Sequence, residues 1–223
     1  MNNKNLSDSV SRVGFWSGIL TAVWTILFIV FFGAYMSSAP SEWPGLEAFA
    51  ATFNSGLYLG WVIPTLLLAL TFPVLIACIY FYFSDKGEIW GLLGLIFAVM
   101  YGAILTTNYW LLATLVREGL LGDLPEGLSW LVVLNPNSVT GAIEGIGYGF
   151  MGLAALFAGL AFDEGRLEKW IRRLFIVNGL SGIGSLFLGG AGIVMGLWVA
   201  LGVWVITFPA ATILTAVFFK RNL

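Results

Sequence analysis

Long apolar runs alternate with short polar joints along this chain, and the runs recur six times. They lie near Arg12–Tyr35, Leu57–Phe83, Trp90–Val116, Val139–Phe162, Trp170–Gly190 and Leu197–Phe219. A helix needs about 20 apolar residues to cross a hydrocarbon core. A barrel strand needs only about 10, with alternating polarity. Runs this long and this evenly apolar therefore predict an all-α fold, a bundle of six transmembrane helices forming one domain over residues 1–223. A cleaved signal peptide is the alternative for the first run. Its apolar part, from Val13 to Ala34, exceeds the roughly 7–15 residues of a signal core, so it is read as a retained helix.

The polar joints differ in character. Residues 38–56 contain Pro40, Trp43 and Pro44, then Leu46, Phe49 and Phe53 at helical spacing. Pro44 suits the first turn of a helix lying on the membrane surface. Residues 118–138 contain Asp123-Leu-Pro125-Glu126, which reads as a second helix start. Trp130 to Leu134 then forms an apolar run too short to cross. Joints of this length serve as lids, binding elements or interfacial props.

Composition agrees with the pattern. Hydrophobic residues make up 59% of the chain and charged residues 10%, against about 25% charged in a soluble domain. Six spans leave no length for a separate soluble domain. The net charge is −2 with no long basic stretch, so nucleic acid is not an expected partner. The expected surroundings are a lipid bilayer.

The placement of charge sets an orientation. Lys4, Arg12, Lys86, Arg166, Lys169, Arg172, Arg173, Lys220 and Arg221, nine of the ten basic residues, fall on one side of the six-span topology, and Arg117 alone falls on the other. Basic residues concentrate on the cytoplasmic side. Both termini are therefore expected in the cytoplasm, with the protein in the cell membrane. Residues 163–173 form a basic inner loop beside Trp170. It reads as an anionic-lipid site or as ordinary interfacial anchoring, with Glu168 and Arg172 paired one helical turn apart.

Several chemistries are absent from the residue inventory. The chain has no histidine, which excludes imidazole acid–base catalysis, zinc held by imidazole and haem on a histidine ligand. Cys78 is the sole cysteine and sits in an apolar run, as a small buried residue would. No cofactor is implied, and an intramembrane enzyme has little to work with.

Glu144 is the one carboxylate well inside a span. With a helix start near Ser138 it lies about 9 Å below the outer end. A charge at the bilayer centre costs about 2.5–3.5 kcal/mol on insertion scales, so Glu144 is expected to face the bundle. Tyr148 follows one turn later on the same face. Gly141, Gly145, Gly149 and Gly152 form a small-residue stripe that lets a neighbour approach. On the third span Asn108 lies about 13 Å from Arg117, at a depth similar to that of Glu144, and Tyr101 shares its face. Two readings stand. One is a ligand or proton site around Glu144, Asn108 and Tyr148. The other is a buried Asn108–Glu144 hydrogen bond that fixes packing.

Other features are weaker. Pro64, Pro73 and Pro209 interrupt the second and sixth spans and free the carbonyls of Gly60, Ala69 and Val205. Thr71-Phe72-Pro73 recurs as Thr207-Phe208-Pro209, and Arg12 has a counterpart in Arg173, as a tandem helix-pair repeat would produce. Glycines four apart (Gly14 with Gly18, Gly56 with Gly60, Gly192 with Gly196) suit close helix contacts within the bundle or between protomers.

Some resemblances can be tested at once. Gly179-Leu180-Ser181-Gly182 resembles the GxSG motif of rhomboid proteases, which also have a six-helix core, but those enzymes need a histidine base. Asn135-Pro136-Asn137 resembles the NPA motif of aquaporins in one altered copy; a turn followed by a helix cap accounts for it. No lysine lies mid-span for a retinal Schiff base. Asn108-Tyr109, Asn135-Pro136 and Ala142-Ile143-Glu144-Gly145-Ile146-Gly147-Tyr148 together resemble a pattern in prokaryotic multi-span integral membrane proteins, a resemblance that implies no activity.

Two functional expectations follow. The first is binding or transport of a small apolar or amphipathic molecule, such as a lipid, in an outer-half pocket lined by Tyr58, Trp61, Tyr101, Asn108, Glu144 and Tyr148. The second is an accessory or structural subunit of a membrane complex, with a homo-oligomer or a partner membrane subunit on its glycine faces.

Overall fold

The structure, a computed structural model, describes residues 3–40, 42–83, 88–163, 165–190 and 194–223. Lys86 and Gly192 lie outside the described residues. All regular structure among the described residues is helical: α1 (Asn3–Ser38), α2 (Leu46–Ala51), α3 (Ser55–Tyr82), α4 (Glu88–Leu111), α5 (Arg117–Leu121), α6 (Val139–Leu160), α7 (Gly165–Gly190) and α8 (Val194–Arg221). A π-helical turn, Leu112–Val116, joins α4 to α5, so the two form one span. Six helical segments are long and apolar enough to cross a membrane. The protein is an all-α integral membrane protein of the multi-pass kind.

Helix starts follow local chemistry. Asn54 accepts the Leu57 N–H through its side chain (3.0 Å) and caps α3. Ser138 accepts the Gly141 N–H (3.2 Å) and caps α6. Gly165 opens α7 with φ of 77°, a left-handed conformation that favours glycine.

Three sequence expectations are corrected here. Pro44 does not sit in the first turn of the surface helix; Gly45 caps α2, so Pro44 precedes it. Asp123–Glu126 does not begin an α-helix. The third span instead continues through the π turn to Leu121, and the joint afterwards holds one 3-10 turn, Leu128–Leu131. The π turn carries the helix past Val116 without a break, and left-handed backbone at Leu124 (φ 50°) and Gly127 (φ 83°) keeps Asp123–Glu126 from starting a new one. The basic segment 166–173 is not a loop, because α7 already begins at Gly165.

The spans pack in a ring. Each of α1, α3, α4, α6, α7 and α8 lies against the span before and after it, and α8 returns to α1. Glycines set how closely several neighbours approach. Gly18 lies against the Ala216 backbone and Gly14 under the Phe219 ring, at the α1–α8 seam. Gly152 meets Gly179 and Gly182 backbone to backbone at the α6–α7 seam; a β-carbon on Gly152 would come within 2.9 Å of the Gly179 carbonyl oxygen. The stretch that resembles a protease motif is thus a helix contact, and its Ser181 hydroxyl donates to the Ala200 carbonyl on α8 (2.8 Å). The predicted α6 stripe splits in two. Gly149 and Gly152 face α7, whereas Gly145 has open space around it.

The prolines are absorbed without ending their helices, as membrane helices allow. Gly102 on α4 lies where a β-carbon would meet the Pro73 ring at 2.8 Å and the freed Ala69 carbonyl at 3.0 Å. The two Thr-Phe-Pro copies occupy comparable settings. Phe72 and Phe208 meet edge to face across the interior, 5.2 Å between centroids. The Thr71 hydroxyl pairs with that of Thr21 on α1 (3.3 Å), and the Thr207 hydroxyl accepts from Asn178 Nδ2 on α7 (3.2 Å).

A leucine at Gly152 has no room against α7. Gly152→Leu should lower stability by about 1–3 kcal/mol, the usual cost of overpacking. Gly184→Ala, with nothing within 4 Å of its β-carbon position, should be neutral or slightly stabilising. Thermal unfolding of both variants in detergent checks the contrast.

Candidate functional site

The half of the ring away from the chain termini is lined by rings carrying polar groups. Tyr58 and Trp61 lie one turn apart near the start of α3, Tyr101, Asn108 and Tyr109 on the buried face of α4, and Glu144 and Tyr148 on α6. They meet in one network. Tyr58 and Trp61 are edge to face at 5.5 Å, and Trp61 meets Tyr109 at 6.1 Å. The Tyr109 and Tyr148 hydroxyls share a 3.0 Å hydrogen bond. Tyr148 stands against Trp204 of α8, which stacks on Phe208 at 5.3 Å and meets Phe28 of α1 edge to face at 5.8 Å.

Glu144 belongs to this network. Its carboxyl lies within electrostatic reach of the Tyr58, Tyr109 and Tyr148 hydroxyls, which come from three different spans. The residue as a whole is half-buried. Its Oε1 is sealed off and accepts no hydrogen bond from the described residues. Tyr109 is a polar neighbour of the carboxyl but does not meet hydrogen-bond geometry at Oε1.

Asn108 does something other than expected. Its Nδ2 donates to the Thr140 backbone carbonyl (3.3 Å), not to Glu144. Thr140 is itself held by its hydroxyl, which donates to the Leu131 carbonyl (2.9 Å) and shares a 2.8 Å hydrogen bond with the Ser138 hydroxyl. The Asn135-Pro136-Asn137 turn completes this scaffold: Asn135 Nδ2 donates to the Ser129 carbonyl (2.7 Å) and its Oδ1 accepts from the Asn137 N–H (3.0 Å). Asn108 therefore ties α4 to the first turn of α6, the turn that places Glu144. The direct Asn108–Glu144 bond is replaced because the Thr140 carbonyl is the acceptor the first turn of α6 presents to the amide, and a carbonyl oxygen has a second lone pair beyond the one its own helix uses.

Tyr101 points to a different neighbour. It meets Phe72 edge to face at 5.7 Å, near mid-bundle, and reaches Tyr148 through the rings of Phe72, Phe208 and Trp204. Five of the six predicted residues, Tyr58, Trp61, Tyr101, Glu144 and Tyr148, thus join one network, and Asn108 supports it from the side. Tyr109, Tyr35 and Trp204 are the residues that sequence spacing passed over. Tyr109 was adjacent to Asn108 in sequence. Tyr35 and Trp204 carried no signal: Tyr35 meets Tyr58 and Trp61 across the α1–α3 contact, and Trp204 reaches Tyr148 and Phe28 from within α8.

Polar atoms in this region are poorly matched. The Tyr35, Tyr58 and Tyr101 hydroxyls, the Trp61 and Trp204 indole nitrogens, Asn108 Oδ1 and Glu144 Oε1 are all buried without a hydrogen-bond partner among the described residues. Buried polar groups are usually satisfied. Above them α2 acts as a cover: Phe49 is buried and contacts Trp43 (5.3 Å) and Phe53 (6.1 Å), and Phe53 contacts Tyr58 (5.1 Å). A small gap of about 10 Å³ lies under α2, bordered by Tyr35, Phe49 and Phe53. Among the described residues no group of three or more Cys, Asp or Glu side chains gathers as a metal site would require.

Replacing Asn108 should separate scaffold from site. Asn108→Leu is expected to cost about 0.6–1.7 kcal/mol, the span measured for hydrogen bonds between membrane helices, read as a lower unfolding midpoint in detergent. Tyr148→Phe, which keeps the ring and its contact with Trp204, should cost less than Asn108→Leu in the same measurement. No family model, no curated protein and no solved structure matches this chain.

Proposed function

We propose that this integral membrane protein binds, and in doing so carries or presents, a small apolar or amphipathic molecule in the outer half of the bundle around Glu144. The observation that carries the reading is the gathering of buried, unpartnered donors and acceptors on one set of interior aromatic and polar side chains, from Tyr58, Trp61, Trp204, Asn108 and Glu144. A protein that needed only a packed interior would place apolar side chains there. A bound molecule with an apolar body and one hydroxyl, amine or carbonyl head would lie against the rings and satisfy those atoms. Glu144 would accept from its head group, and α2 would cover the entrance. The shortage of buried charge speaks against strongly charged solutes.

The protein is read as one domain in the cell membrane, with both termini cytoplasmic. The α2 joint and the Arg117 end then face outward. Cysteine labelling in intact cells tests this, in a Cys78→Ala background. Asn222→Cys should be shielded from a membrane-impermeant maleimide and Ser129→Cys should react. The reverse pattern would overturn the orientation.

Native mass spectrometry of protein extracted gently from its own membranes tests the binding reading. The wild type should retain a small molecule, and Glu144→Gln should lose it with its unfolding midpoint unchanged. Equal retention by both proteins removes Glu144 from the site. A co-purifying chain with no small molecule would replace the reading with that of a subunit packed on a partner.

A further inference from the structure

At the opposite end of the bundle, α7 presents a second built surface. Its first turns carry Arg166, Lys169, Trp170 and Arg173 around an open groove of about 450 Å³. These positions recur at three- and four-residue intervals and so share one helix face. The Arg173 guanidinium lies over the Trp170 ring, 5.4 Å from its centroid. That contact holds one cation at the groove wall.

The fourth cation is kept out. Arg172 Nη1 donates to Asp163 Oδ1 at 2.8 Å, and neither residue lines the groove. Glu168, on the same turns of α7, does not line the groove either. Among the described residues the groove is therefore walled by three cations, an indole and Gly165, with no acidic side chain in its lining.

The same helix face continues into the membrane as an apolar track. Val177, Leu180 and Phe187 follow Arg173 at helical spacing and are exposed, Phe187 at 71%. Gly184, between them, has nothing within 4 Å of its β-carbon position, which leaves a shallow channel along the helix. A free phosphate would use only the cationic end. A molecule with an anionic head and a long acyl chain uses both.

We propose that this face of α7 binds one anionic phospholipid, its phosphate head held by Arg166, Lys169 and Arg173 and an acyl chain lying along Val177, Leu180 and Phe187. Trp170, 49% exposed, sits at the join, where indole rings favour the membrane interface. This site is separate from the Glu144 network and does not depend on it.

The test uses the full chain in nanodiscs of phosphatidylcholine containing a minor share of phosphatidylglycerol, with native mass spectrometry on release. One phosphatidylglycerol should stay bound to the wild type and to Arg172→Gln. Each of Arg166→Gln, Lys169→Gln and Arg173→Gln should cut its occupancy about fivefold, from the worth of one basic residue at an anionic surface. The triple variant should cut it more than tenfold by the same reckoning. An excess of inorganic phosphate should leave the lipid in place. Equal retention by the triple variant, an equal loss in Arg172→Gln, or displacement by inorganic phosphate would each overturn the proposal. Should the triple variant misfold, the three single variants, all on exposed positions, decide the question.

Discussion

Water is absent from the bilayer core, so every polar group between the two faces of the membrane must find its partner within the protein. Most of this structure answers that constraint. The backbone closes its own hydrogen bonds in six helices. The hydroxyls of Thr25, Thr107, Thr114 and Thr215 turn back to carbonyls four residues earlier. Asn108 finds the Thr140 carbonyl, and Asn178 finds the Thr207 hydroxyl. Set against so thorough a pairing, the unpartnered atoms around Glu144 stand out. They come from five spans and gather around one set of aromatic rings, whereas Ser11 Oγ, Trp24 Nε1 and Asn178 Oδ1 are single unpartnered atoms elsewhere.

The ring arrangement converts that local feature into a site. Sequential packing alone would give a row of antiparallel helices. The α8–α1 seam, held close by Gly14 and Gly18, closes the row and brings Trp204 to Tyr148 and to Phe28. The α6–α7 seam does similar work where Gly152 meets Gly179 and Gly182. Small residues at these seams let backbones approach, which is the main source of helix association where no hydrophobic drive operates between helices. The aromatic interior and the proposed ligand site both rest on these glycine contacts. The lipid-facing groove on α7 does not, because its cations and its apolar track lie on one helix.

Much of the site was legible before folding was considered. Glu144 could be singled out because a carboxylate is expensive in a span, and Tyr148 because a helix repeats every three to four residues. Asn108 was placed by depth alone, which put it at the right level and on the wrong acceptor. Depth counts residues along one helix. It does not say which acceptor of the next helix is turned toward the amide, and here that acceptor is the Thr140 carbonyl. Tyr109 was missed for a related reason: spacing does not tell that two adjacent polar residues, Asn108 and Tyr109, are both buried.

By itself the sequence determined the number of spans, their alternation and the crowding of basic residues toward one end, because length and apolarity act locally and lipid tolerates few alternatives. It also set the caps at Asn54 and Ser138, which depend on residues three positions apart. Only tertiary structure decided that the third span runs on through a π turn to Leu121, that the Asp123–Glu126 stretch starts no α-helix, and that the two Thr-Phe-Pro copies meet at Phe72 and Phe208. It also decided which of the glycines carry a seam: Gly152 does and Gly145 does not, although both sit on one predicted stripe. The physical reason is that these outcomes depend on what a second helix presents at the same depth, and that is set by the closing of the ring.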